Sequence, residues 1–212
     1  MSILNRTKLP LNVSYRLAQA YAFIIAIILF ILSYIFGRDG LFLWFNTNLG
    51  AFADTFFSYF TYLAEGWIWI PYLLVLVLLL KKDAAFILIN FLSSTILTQV
   101  PKNVFWPNVN RPIASGIPTT QIHTVAGVEV HTYNSFPSGH TATAFTLFLI
   151  TVYLFPNKKV VLTGAIYALI CGYSRIYLGQ HFPLDIAGGI IAALLSVALS
   201  IQIRKKLFKK PF

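Results

Sequence analysis

A chain of 212 residues with only 10% charged and 58% hydrophobic residues is not an ordinary soluble domain, in which about a quarter of residues are charged. Its mean hydropathy of +0.74 points to one modest integral membrane bundle, and a formal charge of +10 with a pI near 9.8 needs a partner or a topology to explain it. The single Cys171 sits in an apolar stretch, which argues against both a disulfide framework and a zinc-type cysteine cluster.

Crossing a bilayer takes about 20 mainly apolar residues in a helix. In chain order the predicted spans are 17–36, 67–80 (starting earlier, near Thr61 or Leu63), 84–100, 141–155, 160–178 and 185–203. The first is too long for a signal peptide and lacks a small-x-small site after it, so it reads as a retained anchor. The aromatic-rich stretch 41–60 is expected to lie in the membrane interface. The fold class that follows is all-α: a polytopic six-helix bundle forming one domain, 1–212, with a short outer-face loop or hairpin.

Charge placement sets the topology. Arg6, Lys8 and Arg16 precede the first span, Lys81 and Lys82 follow the second, and Lys158 and Lys159 follow the fourth. Arg204, Lys205, Lys206, Lys209 and Lys210 follow the last. All of these fall on one side, which the positive-inside rule makes cytoplasmic, with both termini there. The net charge is thus a topology signal and an attraction for anionic lipid, and its scatter among short loops argues against nucleic acid. Lys102, Arg111 and Arg175 defy the bias on the outer side, together with His140, His181 and Asp185. Charge at such positions calls for a functional reason.

Three segments hold that group. In PSGH (137–140), Pro137 suits a first helical turn, and Ser135 or Ser138 could cap the helix that follows. Gly139 removes the side chain that would keep a ligand off the backbone, so the stretch reads as an anion cradle with His140 beside it. In SRIYLGQHFPLD (174–185), His181 and Asp185 are spaced i, i+4. A carboxylate on one ring nitrogen fixes the tautomer and frees the other nitrogen to attack. In PKNVFWPNVNRP (101–112), Lys102 supplies a point charge and Arg111 a bidentate fork for phosphate. Cations, a helix start and two histidines on one face suit a phosphate at a membrane surface, with phosphoryl transfer through one histidine and acid catalysis by another. Which histidine attacks is left open by these residues alone. Since the cations can carry the charge, no metal or other cofactor is expected.

Taken together, the three segments resemble the type 2 phosphatidic acid phosphatase superfamily of membrane lipid phosphatases. Its pattern is Lys and Arg-Pro, then Pro-Ser-Gly-His, then Ser-Arg, five residues, His, three residues, Asp. The second and third parts match at 137–140 and 174–185. The first departs, because Lys102 and Arg111 enclose eight residues where the family usually has six. The resemblance implies that His181 is the nucleophile, that Asp185 orients it, and that His140 is the general acid. It also implies that Lys102, Arg111, Ser138, Gly139, Ser174 and Arg175 bind the phosphate.

Residues 113–136 are expected to fold as a small hairpin about Ala126-Gly127, with His123, Glu129 and His131 on its arms. It would recognise a headgroup, gate the site, or be solvated with no chemical role. A metal site on those three side chains is a weaker alternative. The expected function is a metal-independent lipid phosphatase in a bacterial inner membrane with its site on the periplasmic or extracellular face. Undecaprenyl pyrophosphate is the first choice of substrate, ahead of lipid A phosphate, phosphatidylglycerophosphate and phosphatidic acid. The rivals are a lipid phosphotransferase and a non-catalytic lipid-phosphate binder or transporter. A transporter would be expected to show repeats or broken helices at the midplane.

Overall fold

The computed structural model describes residues 11–79 and 84–208. Among them all regular structure is helical: α1 (Leu11–Ile35), α2 (Arg38–Phe45), α3 (Ala51–Phe60), α4 (Trp69–Leu79), α5 (Ala84–Val100), α6 (Gly139–Leu154), α7 (Lys158–Tyr177) and α8 (Pro183–Phe208).

At the centre stands α6, apolar on all sides and buried along most of its length, as expected of a core helix. It packs against α1, α5, α7 and α8. Lipid tails are as apolar as leucine, so close packing rather than water exclusion holds such helices together. The sequence supplies it with small residues. Ala18, Ala22 and Ala26, one turn apart on α1, are fully buried where α1 meets its neighbours. On α8, a Cβ at Gly189 would lie 2.6 Å from the Ser138 carbonyl oxygen and 2.9 Å from Thr141 Cβ, so only glycine lets the start of α8 press on the start of α6. A polar seam fastens α8 to α5, where Ser196 Oγ donates to the Asn90 carbonyl (3.2 Å).

Helix ends follow local chemistry. Ser138 caps α6 and Asn157 caps α7, its side chain accepting from Lys159 N at 2.8 Å. Gly179, at φ 68°, ends α7 in the left-handed region, and Gln180 N returns to the Arg175 carbonyl (2.9 Å). Pro183 then opens α8.

Among the described residues four stretches are long and apolar enough to cross a membrane: Val13–Ile35, Ala84–Phe105, Lys158–Tyr177 and Pro183–Lys206. A fifth exists if Ala51–Ala64 and Gly66–Leu78, bent by 54°, are taken as one. The remaining expected stretch, α6, is apolar but shorter than these, so the described residues show four or five spans by length and composition. The stretch expected at 141–155 is present as α6, only 16 residues long, and that expected at 67–80 becomes α-helical only at Trp69. Glu65, extended at φ −74° and ψ 159°, breaks the path between α3 and α4. The expected interface segment 41–60 also divides, at Asn46 to Gly50, into α2 and α3.

The expected hairpin is corrected too. Its turn exists, with Val128 N on the Val125 carbonyl (3.1 Å) and Gly127 at φ 82°. Its arms form no strands; the loop carries short 3-10 turns at Pro112–Ala114 and Thr119–Gln121 instead.

Ring contacts fix the directions of the helices. Tyr15 meets Tyr153 (5.3 Å), while the Arg38 guanidinium lies 4.3 Å over Phe182. The start of α1 therefore lies beside the end of α6, and the end of α1 beside the start of α8. Arg16, Lys158, Lys159, Arg204, Lys205 and Lys206 accordingly gather at the end away from His140 and His181. Arg6, Lys8, Lys81, Lys82, Lys209 and Lys210 lie outside the described residues.

Candidate active site

The turn from α7 into α8 carries the central pair. His181 Nδ1 lies 3.3 Å from Asp185 Oδ2, as one helical turn's spacing allows. The same oxygen accepts from Ser135 Oγ (2.5 Å) and from Phe182 N (2.9 Å). Three donors on one oxygen pin the carboxylate, and the carboxylate fixes the ring. Ser138 N donates to the Asp185 carbonyl (3.0 Å), which ties the PSGH turn to the start of α8.

Around this pair stand the cations, all deeply buried: Lys102 at 9% exposure, Arg111 at 8% and Arg175 at 6%, against 1% for His181 and 3% for Asp185. Lys102 lies in a wide turn, Pro101–Phe105, closed by Trp106 N on the Pro101 carbonyl (2.8 Å). The longer spacing to Arg111 does not keep it from the site: Arg111, Asp185 and Arg175 all lie within its electrostatic reach. Arg111 is aimed by its partners, Nε donating to the Tyr133 carbonyl (2.9 Å) and Nη1 to Gln180 Oε1 (3.1 Å). Arg175 Nη1 donates to Thr61 Oγ1 (2.7 Å), while its Nε is buried with no partner among the described residues. Such a donor is costly unless a ligand satisfies it.

Burial, followed by the charges of Arg111, Lys102 and Arg175 and by His140, holds His181 well below the ordinary histidine range. At neutral pH it is a free base. His140 opens α6, half-buried, and lines a cavity of about 660 Å³ together with Arg175, Gln180, Glu129, His131 and Asp54. A Cβ built on Gly139 would meet nothing within 4 Å, so the backbone there faces open space. Ser138 Oγ accepts from Thr141 Oγ1 (2.9 Å), leaving its own proton to give. Ser174 Oγ donates to the Cys171 carbonyl (2.7 Å), within its own helix.

Every residue expected at the site from the three segments thus gathers at one end of the bundle. The loop histidines separate. His123 Nε2 pairs with Asp54 Oδ1 (2.9 Å), while His131 Nδ1 faces Glu129 at 3.6 Å. Four supporting residues escape sequence reasoning. Ser135 serves Asp185 rather than a helix cap, Gln180 aims Arg111, and Thr61 holds Arg175. Asn46 Nδ2 donates to the carbonyls of His123, Ile176 and Tyr177 at 2.8–3.0 Å, pinning the loop to the end of α7. Only Ser135 and Gln180, each beside a motif, carried any signal of proximity.

A helical membrane bundle with a buried His–Asp pair ringed by cations is built to handle a phosphate. The chain belongs to the type 2 phosphatidic acid phosphatase (PAP2) superfamily, whose family model matches residues 83–209. It is 32% identical over 140 residues to an undecaprenyl-diphosphatase of Sulfolobus acidocaldarius, covering 65% of this chain and 64% of that one. To a lipid A 4'-phosphatase of Bacteroides thetaiotaomicron it is 29% identical over 160 residues, covering 71% and 69%. The crystal structure of Aquifex aeolicus LpxE superposes with a TM-score of 0.63 at 29% identity, covering 76% of this chain and 93% of that one. The match spans less than two thirds of the length of the leading curated relatives.

Proposed function

We propose that the protein is a membrane lipid phosphatase that works through a phosphohistidine and draws on cationic side chains for charge neutralisation. The observation that carries this reading is the His181–Asp185 pair, buried within a ring formed by Lys102, Arg111, Arg175 and His140. With Nδ1 held by Asp185, the Nε2 lone pair of His181 is free to attack phosphorus. As the N–P bond forms at the terminal phosphorus, that atom's P–O bond to the departing lipid alcohol (in a diphosphate, to the departing lipid monophosphate) breaks, and His140, protonated with the negative phosphate beside it, gives its proton to the departing oxygen. Water then attacks phosphorus, His140 takes its proton, the N–P bond breaks and inorganic phosphate leaves. Lys102, Arg111 and Arg175, with the Gly139 backbone and the Ser138 hydroxyl, hold the oxygens on which charge develops. Ser174 supports the segment that carries Arg175. The unpartnered Arg175 Nε has a natural acceptor in a phosphate oxygen.

The names of the relatives favour a lipid diphosphate such as undecaprenyl diphosphate as the first substrate, with lipid A phosphate or phosphatidylglycerophosphate next. Cations clustered away from the site favour an outward-facing site with the opposite end in the cytoplasm. The test is phosphate release from these lipids by wild type and His181→Ala, with EDTA present. Release by wild type alone, undiminished by EDTA, is the expected result. Equal rates for both proteins, or an inert but folded wild type, would overturn the reading. Adding an acceptor lipid separates hydrolysis from transfer.

A further inference from the structure

If the leaving group of a lipid phosphate is the lipid itself, its chain must lie on the side of the acid that protonates it. His140 and Arg175 line the 660 Å³ cavity described above. Thr55 and Tyr59 of that cavity also line a second one, of about 330 Å³, walled by Phe52, Phe56 and Phe60. Leu63 belongs both to the second cavity and to a third, of about 470 Å³. The third is a groove of nearly unbroken hydrocarbon, running between α4 (Tyr72, Val75) and the pair α6 (Leu147, Phe148) and α7 (Val160, Thr163). The three cavities are thus neighbours through shared walls, grading from polar to apolar around the break between α3 and α4.

That break is fastened at two points. Thr61 holds Arg175, and the Leu63 carbonyl accepts from Tyr167 Oη at 2.6 Å. Lower down, Tyr72 and Thr151 hydroxyls bond at 2.8 Å between α4 and α6. A Cβ on Gly164 would stand 2.5 Å from Phe148 Cδ2, so the glycine lets the edge of that ring press against α7. The α7 residues of the groove, Tyr167 back to Val160, lie eight to fifteen positions before Arg175. At about 1.5 Å per residue they sit roughly 12 to 22 Å below it, along the helix axis. A hydrocarbon chain hanging from a phosphate at the site runs in that direction and over that depth.

We propose that the groove between α4, α6 and α7 binds the hydrocarbon chain of the lipid whose phosphate occupies the site, and so makes the protein selective for long chains. The inference rests on the phosphatase reading above. It is tested by the ratio of kcat/KM for long- and short-chain substrates in detergent micelles. The probes are dipalmitoyl- against dihexanoyl-phosphatidic acid, and undecaprenyl against farnesyl diphosphate. Val75→Trp and Thr163→Trp fill the groove from two helices at exposed positions, and Leu162→Trp adds the same bulk on α7 outside the groove. Displacing about two buried methylenes lowers the long-to-short ratio about tenfold in each groove variant. The Leu162→Trp ratio stays at the wild-type value. An unchanged ratio in both groove variants, or an equal fall in Leu162→Trp, overturns the proposal: the groove then holds bulk lipid or nothing the reaction uses. Should a groove variant fail to fold, a lipid phosphate with a photoreactive tail decides on the wild type. Label on α4, α6 or α7 groove residues supports the proposal, and label confined elsewhere overturns it. Inactivity of wild type on every probe would instead strike the phosphatase reading.

Discussion

On the phosphohistidine reading, Ser135→Ala is the sharpest test of how His181 is held. Ser135 is fully buried, and its hydroxyl donates to the same Asp185 oxygen that faces His181. A hydrogen bond to a charged group contributes about 1.5–3 kcal/mol. In the variant Phe182 N still reaches that oxygen, so the carboxylate keeps a donor but can rotate away from the ring. If about 2 kcal/mol of this alignment is felt in the transition state, kcat falls roughly 30-fold. KM should change less than about twofold, since Ser135 touches no part of the phosphate site. The fall should appear in the formation of phosphohistidine, followed by rapid mixing and an alkaline quench. Stability should drop by no more than about 1.5–3 kcal/mol, because Phe182 N leaves the carboxylate oxygen with a donor. A variant that forms phosphoenzyme at the wild-type rate would refute the positioning role. So would a loss of activity that merely tracks the unfolded fraction.

Acid should spare the nucleophile: with His181 held well below its ordinary range, kcat/KM should keep its acid limb below about pH 6.5. Between the two pKa values the unfolded chain binds a proton that the folded chain refuses, so stability declines as pH falls below about 6.5. A pH–rate profile whose acid limb sits at or above that value would contradict the burial argument. Gly189→Ala forces a Cβ against the Ser138 carbonyl and should cost about 1–3 kcal/mol in thermal unfolding while weakening phosphate binding. An unchanged Tm would show that the two helices can part freely. Asn46→Ala removes an amide whose two hydrogens serve three carbonyls and the acceptor for His123 N, and about 2–3 kcal/mol of stability should go with them. Proteolysis within 115–131 should speed up in parallel, and unaltered cleavage would disprove the pinning of that loop.

Periodicity and charge made the long helices legible, because a run such as 84–100 or 185–203 has no other way to satisfy its backbone in lipid. They could not locate the break at Glu65, which depends on how Thr61 and Leu63 are held by Arg175 and Tyr167 on α7, far away in sequence. The hairpin failed for a related reason. Its second arm is fastened to the stretch that precedes the first, the Thr132 carbonyl accepting from Arg111 N and Ser135 N donating to the Val109 carbonyl. The site residues were legible because each stands out chemically against an apolar background. Their supporters were not: Asn46, Thr61 and Gln180 are ordinary polar residues until the fold aims them.

One dimension of α6 bears on how substrate arrives. Its 16 residues span roughly 24 Å, short of the ~30 Å hydrocarbon layer. A helix level with one face of that layer stops several ångströms short of the other, and the phosphate cradle begins where this one starts. On the phosphatase reading, and with the far end of α6 level with the opposite face, a phosphate is met at the depth where its ester joins the tail, and the lipid slides sideways into place. Work against the bilayer, about 0.8 kcal/mol for each methylene drawn into water, is largely avoided. Membrane thickness thereby becomes a variable of turnover: a thicker bilayer lowers the cradle further beneath the headgroups, and a thinner one raises it to meet them.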